Sequence, residues 1–231
     1  MTLLNISPFA ISRWGAFFNH FELFFKSFLY TLGISFGALL LALILGILSG
    51  GLSTSKSKVG KLISRIYVEV FQNTPLLVQM VFVYYGLAII SNGHVMISAF
   101  FTAVLCVGLY HGAYISEVIR SGIEAVPKGQ TEAALAQGFT ANQTMQLIIL
   151  PQAVRTILPP MTNQVVNLIK NTSTVAIISG ADIMFVAKAW AYDTTNYIPA
   201  FTGAAIFYFV ICFPLASWAR KQEELNKKTY S

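Results

Sequence analysis

The chain has 231 residues, 55% of them hydrophobic and 10% charged, with a formal net charge of +6. So few charged side chains cannot cover the water-facing surface of an ordinary soluble domain, which excludes that class and favours lipid as the solvent. The positive charge does not require a nucleic-acid partner, because basic residues beside membrane spans act as topology signals next to anionic lipid.

Four long segments without a charged residue follow one another along the chain. They lie between Lys26 and Lys56, between Glu69 and Glu117, between Arg155 and Lys170, and between Asp193 and Arg220. Crossing the hydrocarbon takes roughly 20 helical residues, and the second segment is long enough for two crossings separated by the polar turn at 91–94. The sequence therefore predicts five membrane helices, at 27–51, 67–90, 95–115, 157–180 and 197–218. Because backbone hydrogen bonds must close internally in lipid, we expect an all-α integral membrane fold.

The basic residues between these helices indicate which side of the membrane each end faces. Three basic clusters fall on one side: Lys56, Lys58, Lys61 and Arg65; Arg120, Lys128 and Arg155; and Arg220, Lys221, Lys227 and Lys228. Cytoplasmic loops retain Lys and Arg, which places the N-terminus outside and the C-terminus in the cytoplasm. The predicted parts are an aromatic segment at the outer interface (1–26), one membrane domain (27–218) with a cytoplasmic loop (116–156), and a cytoplasmic tail (219–231).

The first predicted span contains patterns that other classes of protein share. A cleaved signal peptide is an alternative, but the apolar run is about twice as long as such a peptide needs and lacks a small-residue cleavage site. The string Gly33-Ile34-Ser35-Phe36-Gly37 matches G-x-S-x-G of hydrolases, which requires a strand, a turn and a helix. The same glycines, with Gly46 and Gly50, match the small-residue spacing of close helix packing, which we favour. The two cysteines, Cys106 and Cys212, are interpreted as packing residues.

The loop between the third and fourth spans carries the most specific pattern. An alanine-rich stretch after Lys128 favours a short helix, and Gly138 suits the left-handed conformation that ends one. Thr140 and Gln143 fit a capping box for a second short helix at 142–149, which we expect to stop at Leu150-Pro151. A nucleic-acid-binding helix-turn-helix would need more basic side chains, so a featureless amphipathic loop is the stronger alternative.

Specific strings identify the chain as similar to a known family. Glu132-Ala133-Ala134, Gly138 and Ile149-Leu150-Pro151-Gln152-Ala153 resemble the EAA loop of binding-protein-dependent ABC importer permeases. Four further strings resemble the polar amino-acid branch of that family. They are Asn73-Thr74-Pro75-Leu76-Leu77-Val78-Gln79, Val126-Pro127-Lys128-Gly129-Gln130, Leu158-Pro159-Pro160 and Lys170-Asn171-Thr172-Ser173. Members often carry Arg where this chain has Gln72.

The resemblance implies a fold, a function and partners. It implies the type I ABC importer transmembrane fold and a permease subunit that forms the path for a polar amino acid across a bacterial cytoplasmic membrane. The implied partners are two ABC ATPase subunits, a second permease subunit of the same or a homologous kind, and an extracytoplasmic amino-acid-binding protein. In this family the loop seats in a groove of the ATPase, which implies coupling roles for Glu132, Ala133, Ala134, Gly138, Leu150 and Pro151.

Cofactors and catalytic groups are not expected on this chain. The sequence has no G-x-x-x-x-G-K-[ST] phosphate loop, so ATP and magnesium would be held by the partner ATPase, and no metal site is predicted. A secondary amino-acid transporter is an alternative function, although such proteins are typically built from two related halves. An intramembrane enzyme is another, but His20, His94 and His111 lack a recognisable partner motif.

Polar side chains in the fourth span are candidates for the substrate path. The run comprises Asn163, Gln164, Asn167, Lys170, Asn171, Thr172 and Ser173. A zwitterion needs polar partners at membrane depth, where unneeded polar groups are costly. We expect Asn171, Thr172 and Ser173 to line the path, with Thr74 and Gln79 opposite them. Hydrogen bonding between packed helices is the alternative, and Lys170 could simply reach out to the interface.

Overall fold

The computed structural model describes residue 7 and residues 9–230, with the side chains at 223 and 225–230 excepted. In this part of the chain every regular element is a helix, which confirms the all-α prediction. The helices are α1 (Ile11–Asn19), α2 (Phe21–Thr54), α3 (Lys58–Gln72), α4 (Leu76–Ile90), α5 (Ala99–Glu124), α6 (Lys128–Ala136), α7 (Ala141–Ile178), α8 (Ile183–Thr194) and α9 (Tyr197–Tyr230). Residues 1–6 and 8 of the predicted N-terminal segment, and residue 231 of the predicted tail, lie outside the described residues.

Several helices are long and apolar enough to cross a membrane. In the described part of the chain these are α2, α5 and the stretch Tyr197–Gln222 of α9. Two further candidates are broken pairs, α3 with α4 and α7 with α8, each of which passes the same length and hydropathy criteria as a pair. The fold is therefore that of a multi-pass membrane protein with three to five candidate spans.

The second predicted span, 67–90, is not one helix. Helix α3 begins nine residues earlier than that span, at Lys58, with the Ser57 hydroxyl accepting a hydrogen bond from the Gly60 N–H at 3.1 Å. It ends at Gln72, and α4 begins at Leu76. The reason for the break is Pro75, which has no N–H to donate and disfavours helical geometry at the residue before it.

The chain forms two compact units, the first made of Met1–Ala38, Leu76–Val107 and Leu168–Phe213. An aromatic core holds this unit together. Phe17 of α1 lies 4.7 Å from Phe24 and 6.2 Å from Trp190 between ring centroids, and all three are at most 5% exposed. Arg13 of α1 donates hydrogen bonds to the Thr195 carbonyl at 2.8 Å and to Asn196 Oδ1 at 2.9 Å. The inner face of α1 is thus part of the helix packing and does not only lie along an interface.

The second unit comprises Leu39–Pro75, Gly108–Asn167 and Pro214–Ser231. Here α2 and α5 approach closely through glycine. A Cβ atom on Gly46 would lie 2.3 Å from Ile115 Cγ2, and one on Gly50 would lie 2.8 Å from Ile119. Since a real Cβ does not approach another atom so closely, these positions accept only glycine without rearrangement. The small-residue interpretation of Gly46 and Gly50 is confirmed.

Hydroxyl groups add a buried polar contact between three helices of this unit. Ser49 of α2 is 2.8 Å from Ser64 of α3, and Ser116 of α5 donates to Ser49 at 2.9 Å. All three residues are at most 6% exposed. Buried hydroxyls that satisfy one another across helices fix their relative rotation, because a shifted helix would leave polar groups without partners in an apolar environment.

Candidate functional site

The loop between α5 and α7 is an ordered helix pair. Helix α6 covers Lys128–Ala136 and ends in a Schellman motif. The N–H of Gly138 donates to the Leu135 carbonyl at 3.0 Å, and the N–H of Phe139 donates to the Ala134 carbonyl at 3.1 Å. Gly138 has φ +90°, as the sequence predicted. A Cβ there would meet nothing within 4 Å, so the requirement for glycine is conformational and not steric.

The second helix of the pair begins with the predicted capping box. The Thr140 N–H donates to Gln143 Oε1 at 2.8 Å, and the Gln143 N–H donates to Thr140 Oγ1 at 3.3 Å. These reciprocal bonds satisfy two backbone donors that the start of a helix otherwise leaves open. The corner between α6 and α7 is therefore fixed on one side by Gly138 and on the other by Thr140.

The predicted stop of this helix at Leu150-Pro151 is wrong. Helix α7 runs on through Pro151, and a wider π-type turn covers Thr144–Ile149. Within it the Leu150 N–H donates to the Met145 carbonyl, five residues back. A π turn of this kind relieves the clash between a proline ring and the preceding helical turn, and such turns are frequent at functional sites. The short helix 142–149 and the fourth span are consequently one continuous helix.

Of the predicted coupling residues, all but one are exposed on the surface, and one is buried. Glu132, Ala133, Gly138, Leu150 and Pro151 are exposed. Ala134 is only 5% exposed and lies on α6, which packs against the π turn of α7. Its small side chain therefore serves the contact inside the pair, and only the other residues are accessible to a partner.

Two exposed leucines on the same helix pair were missed from the sequence. Leu135 of α6 is 48% exposed and Leu147 of α7 is 59% exposed. The hydropathy of a short loop does not show which apolar side chains become buried when the loop folds. The sequence therefore could not distinguish these two exposed leucines from packing residues. The two leucines give the helix pair exposed apolar surface in addition to the exposed carboxylate of Glu132.

In the first unit, the last residues of the polar run of α7 lie in a tightened turn. Residues Thr172–Ile178 are 3₁₀-helical. The hydroxyls of Thr172, Ser173 and Thr174 each donate to the carbonyl three residues back, at 2.7–2.8 Å. Such bonds compete with regular α-helical geometry, and 3₁₀ turns are frequent at the C-terminal end of an α-helix. In this state the hydroxyls bind their own helix.

The tightened turn ends in a break. Ser179 adopts a left-handed conformation, with φ +57°, and Asp182 then starts helix α8. The Asp182 carboxylate accepts hydrogen bonds from the Met184 N–H at 3.0 Å and the Phe185 N–H at 3.2 Å. Asp182 is fully buried, and the adjacent Ile183 N–H donates to Thr31 Oγ1 at 3.1 Å. Asp182 was missed from the sequence, although an acidic residue directly before an apolar helix is a recognised capping signal.

The predicted path residues lie in different places. Asn171 and Ser173 are half-buried and Thr172 is buried, whereas Thr74 is exposed in the second unit, where its hydroxyl donates to the Val70 carbonyl at 2.8 Å. Gln79 lies on α4, whose first turns pack against Thr172–Ile178. The structure thus brings Gln79 near the polar run within the first unit.

A cleft of about 320 Å³ opens beside the polar run. Its lining is mostly apolar, with Ser173, Lys170 and Tyr208 as the polar members, and the other lining residues are Met184, Phe201, Ala204 and Ala205. Among the described residues, no group of three or more His, Cys, Asp or Glu side chains is placed to hold a metal ion.

Comparison with known proteins gives consistent matches over nearly the whole chain. Residues 42–224 match the sequence profile of the family described as "Binding-protein-dependent transport system inner membrane component". The chain is 34% identical over 213 residues to a probable glutamine ABC transporter permease protein, GlnM, of Bacillus subtilis (strain 168), covering 92% of this chain and 97% of that protein. It is 36% identical over 200 residues to a probable amino-acid ABC transporter permease protein, PatM, of Vibrio harveyi, covering 85% and 89%.

Solved structures agree with the sequence matches. The chain superposes on a crystal structure of an amino acid ABC transporter with histidines with a TM-score of 0.84 and 31% identity, covering 91% of this chain and 97% of the other. An inward-facing structure of the MetNI methionine ABC transporter gives a TM-score of 0.67 at 18% identity, covering 88% and 98%. At that identity the second likeness concerns the fold alone.

Proposed function

Since this chain belongs to the family of binding-protein-dependent transport system inner membrane components, we propose that it is the permease subunit of an ATP-driven importer for a polar amino acid. Membership makes it a non-catalytic membrane component that works with an ATPase and a binding protein. It favours this function over the two alternatives, a secondary transporter and an intramembrane enzyme. The cargo class is supported by relatives described as glutamine and amino-acid permeases.

The proposed assembly has two ATPase subunits, a second permease subunit of the same or a homologous kind, and an extracytoplasmic amino-acid-binding protein. It lies in a bacterial cytoplasmic membrane, with the N-terminus of this chain outside and its C-terminus in the cytoplasm. ATP and magnesium are held by the ATPase subunits, and this chain binds no cofactor. The side chosen for each terminus follows from the basic clusters of the sequence.

The observation that carries the proposal is the ordered helix pair of residues 128–149. It offers a partner an exposed carboxylate at Glu132, exposed small and apolar side chains, and a corner fixed by Gly138. A chain without a phosphate loop can respond to ATP only through contact with a subunit that binds it. We assign that contact to residues 131–151, with Glu132, Ala133, Gly138, Leu150 and Pro151 facing the ATPase and Ala134 packing inside the pair.

The continuity of α7 supports a route from this contact to the membrane. The helical residues Ala141–Ile178 are continuous along the chain, so the start that faces the ATPase and the polar residues Asn171, Thr172 and Ser173 belong to the same helix. We propose that these three residues, with Gln79 and Thr74, line the substrate path. For Thr172 and Ser173 this requires the hydroxyls to exchange a bond to their own helix for one to the cargo.

Reconstitution tests the proposed function directly. The chain is placed in proteoliposomes with its ATPase, and uptake of labelled polar amino acids is measured with the binding protein and ATP supplied or withheld. We expect uptake only when the ATPase, ATP and binding protein are all present. Uptake driven by a proton or sodium gradient without the ATPase would instead establish the secondary-transporter alternative.

A further inference from the structure

Helix α3 presents three distinct faces around its circumference. Its inner face, formed by Gly60, Ser64 and Val68, is buried. A second face is apolar and yet 51–67% exposed, and it consists of Val59, Leu62, Ile63, Ile66 and Val70. A third carries the charged side chains Lys58, Lys61, Arg65 and Glu69, which are also exposed. At about 100° per residue these sets fall on separate sectors of the helix. The charged sector borders the buried face on one side and the exposed apolar face on the other.

A helix of this kind is not built to cross a membrane. A crossing helix needs roughly 20 predominantly apolar residues, and α3 has 15 with one side charged. A helix packed on protein and otherwise exposed to water would not leave five large apolar side chains uncovered. An apolar face beside a basic face is the pattern of a helix lying in the plane of a membrane interface.

The contacts of α3 within the second unit place it near the end of the uncharged part of α5. Tyr67 donates to the Leu109 carbonyl of α5 at 2.7 Å, and Gln72 donates to the Ala113 carbonyl at 3.2 Å. Helix α5 is free of charge up to Ser116 and then carries Glu117, Arg120 and Glu124. Helix α3 therefore crosses α5 where the uncharged part of α5 ends, as expected at a boundary between hydrocarbon and headgroups.

The charged groups of both helices meet at this boundary. A cleft of about 360 Å³ is lined by Lys61, Arg65 and Glu69 of α3 together with Glu117 and Arg120 of α5. Arg120 is held by Glu117 at 2.7 Å, and Arg65 pairs with Glu69 at 2.7 Å. Lys58 and Lys61, with Lys56 just before the helix, supply the remaining positive charge of this edge.

We propose that α3 is an interfacial helix that binds the anionic phospholipids of one leaflet. Its face of Val59, Leu62, Ile63, Ile66 and Val70 enters the acyl-chain region, and Lys56, Lys58 and Lys61 bind the lipid phosphates. Long basic side chains suit this position, because their aliphatic stems lie along apolar surface while the charged ends reach the headgroups. The inference concerns lipid and does not depend on the cargo.

Nitroxide scanning tests the placement of the helix. Single cysteines at 59, 62, 63 and 66, and at 58 and 61, are labelled in the full chain in nanodiscs, after replacement of the buried Cys106 and Cys212. We expect labels of the apolar set to collide with oxygen far more than with a water-soluble nickel chelate, and labels at 58 and 61 to show the reverse. Chelate access at Ile63→Cys would place the face in water. Access of neither reagent would mean that protein, such as a second copy, covers it, and either result overturns the proposal.

A charge series tests the choice of lipid. Nanodiscs of phosphatidylcholine mixed with phosphatidylglycerol as the anionic lipid are used, and the lipid retained after mild detergent extraction is measured by mass spectrometry. We expect Lys58→Gln with Lys61→Gln to lower phosphatidylglycerol enrichment by roughly fivefold per charge, and high salt to lower it in the unmodified chain. Arg220→Gln with Lys221→Gln, which removes two exposed basic residues of α9, is the control matched in charge. Unchanged enrichment in the double variant, or an equal loss in the control, would contradict anionic recognition by α3.

Discussion

Asp182 is a buried residue that caps the start of α8, just after the break that follows α7. Its carboxylate accepts from the N–H groups of Met184 and Phe185 at the start of α8. Replacing a capping residue by alanine costs about 1 kcal/mol of stability, and here the orphaned N–H groups would be buried. We therefore expect Asp182→Ala to lower the thermal unfolding midpoint in detergent. Asp182→Asn keeps only one of the two acceptor oxygens, so its midpoint should lie between those of the unmodified chain and Asp182→Ala. Equal midpoints for all three would contradict the capping role.

Asn171 and Ser173 are the residues at which a path-lining role can be separated from simple helix packing. We expect Asn171→Ala and Ser173→Ala to reduce uptake or alter substrate preference in the assembled complex, because they remove polar groups at membrane depth. Ser121→Ala is the matched control, since the Ser121 hydroxyl also bonds to its own helix, at 2.7 Å from the Glu117 carbonyl, outside the polar run. Uptake assays with several labelled amino acids provide the measurement. Unchanged uptake and preference in both variants would remove these residues from the path.

The close contact between helices α2 and α5 depends on glycine. A Cβ on Gly46 would lie 2.3 Å from Ile115 Cγ2, whereas one on Gly51 of the same helix would meet nothing within 4 Å. Overpacking of this kind costs about 1–3 kcal/mol. Thermal unfolding in detergent should therefore show a lower midpoint for Gly46→Val and almost no change for Gly51→Val. Equal midpoints for the two variants would mean that the helices do not pack as closely as described.

The elements that sequence predicted well are those whose signal is local. Apolar runs located the membrane helices, and Gly138 and Thr140 marked the corner of the loop, because a left-handed turn and a capping box depend on a few neighbouring residues. The continuation of α7 through Pro151 could not be predicted in this way. A π turn has no residue signature of its own, so the sequence predicts that the helix ends at a proline through which it in fact continues.

The same limit applied to α3 and to the candidate site. Residues 58–66 are too charged to count as a span, so their amphipathic helix was divided between a loop and the start of a span. Ala134 was grouped with its exposed neighbours because a sequence does not show which alanine of a pair faces inward. Asp182 was not predicted as a cap, because the sequence predicted no helix start between the spans at 157–180 and 197–218, whereas the structure has α8 there.

In the proposed function, the whole permease responds to ATP hydrolysis through the helix pair of residues 128–149, because the chain has no phosphate loop. Gly138 is the residue that this shape requires, since a side chain at φ +90° would cost about 1–2 kcal/mol of backbone strain. Gly129 offers a matched control. It lies in the first turn of α6, and a side chain there would also meet nothing within 4 Å, but its backbone is helical.

The most direct test measures ATPase co-purification and ATP-dependent amino-acid uptake in vesicles for Gly138→Val and Gly129→Val together. Both variants should insert into the membrane. We predict that Gly129→Val retains ATPase binding and uptake, that Gly138→Val binds the ATPase weakly and transports nothing, and that Glu132→Ala shows a milder loss of the same kind. Binding and uptake at the level of the unmodified chain in Gly138→Val would contradict the coupling role of residues 131–151.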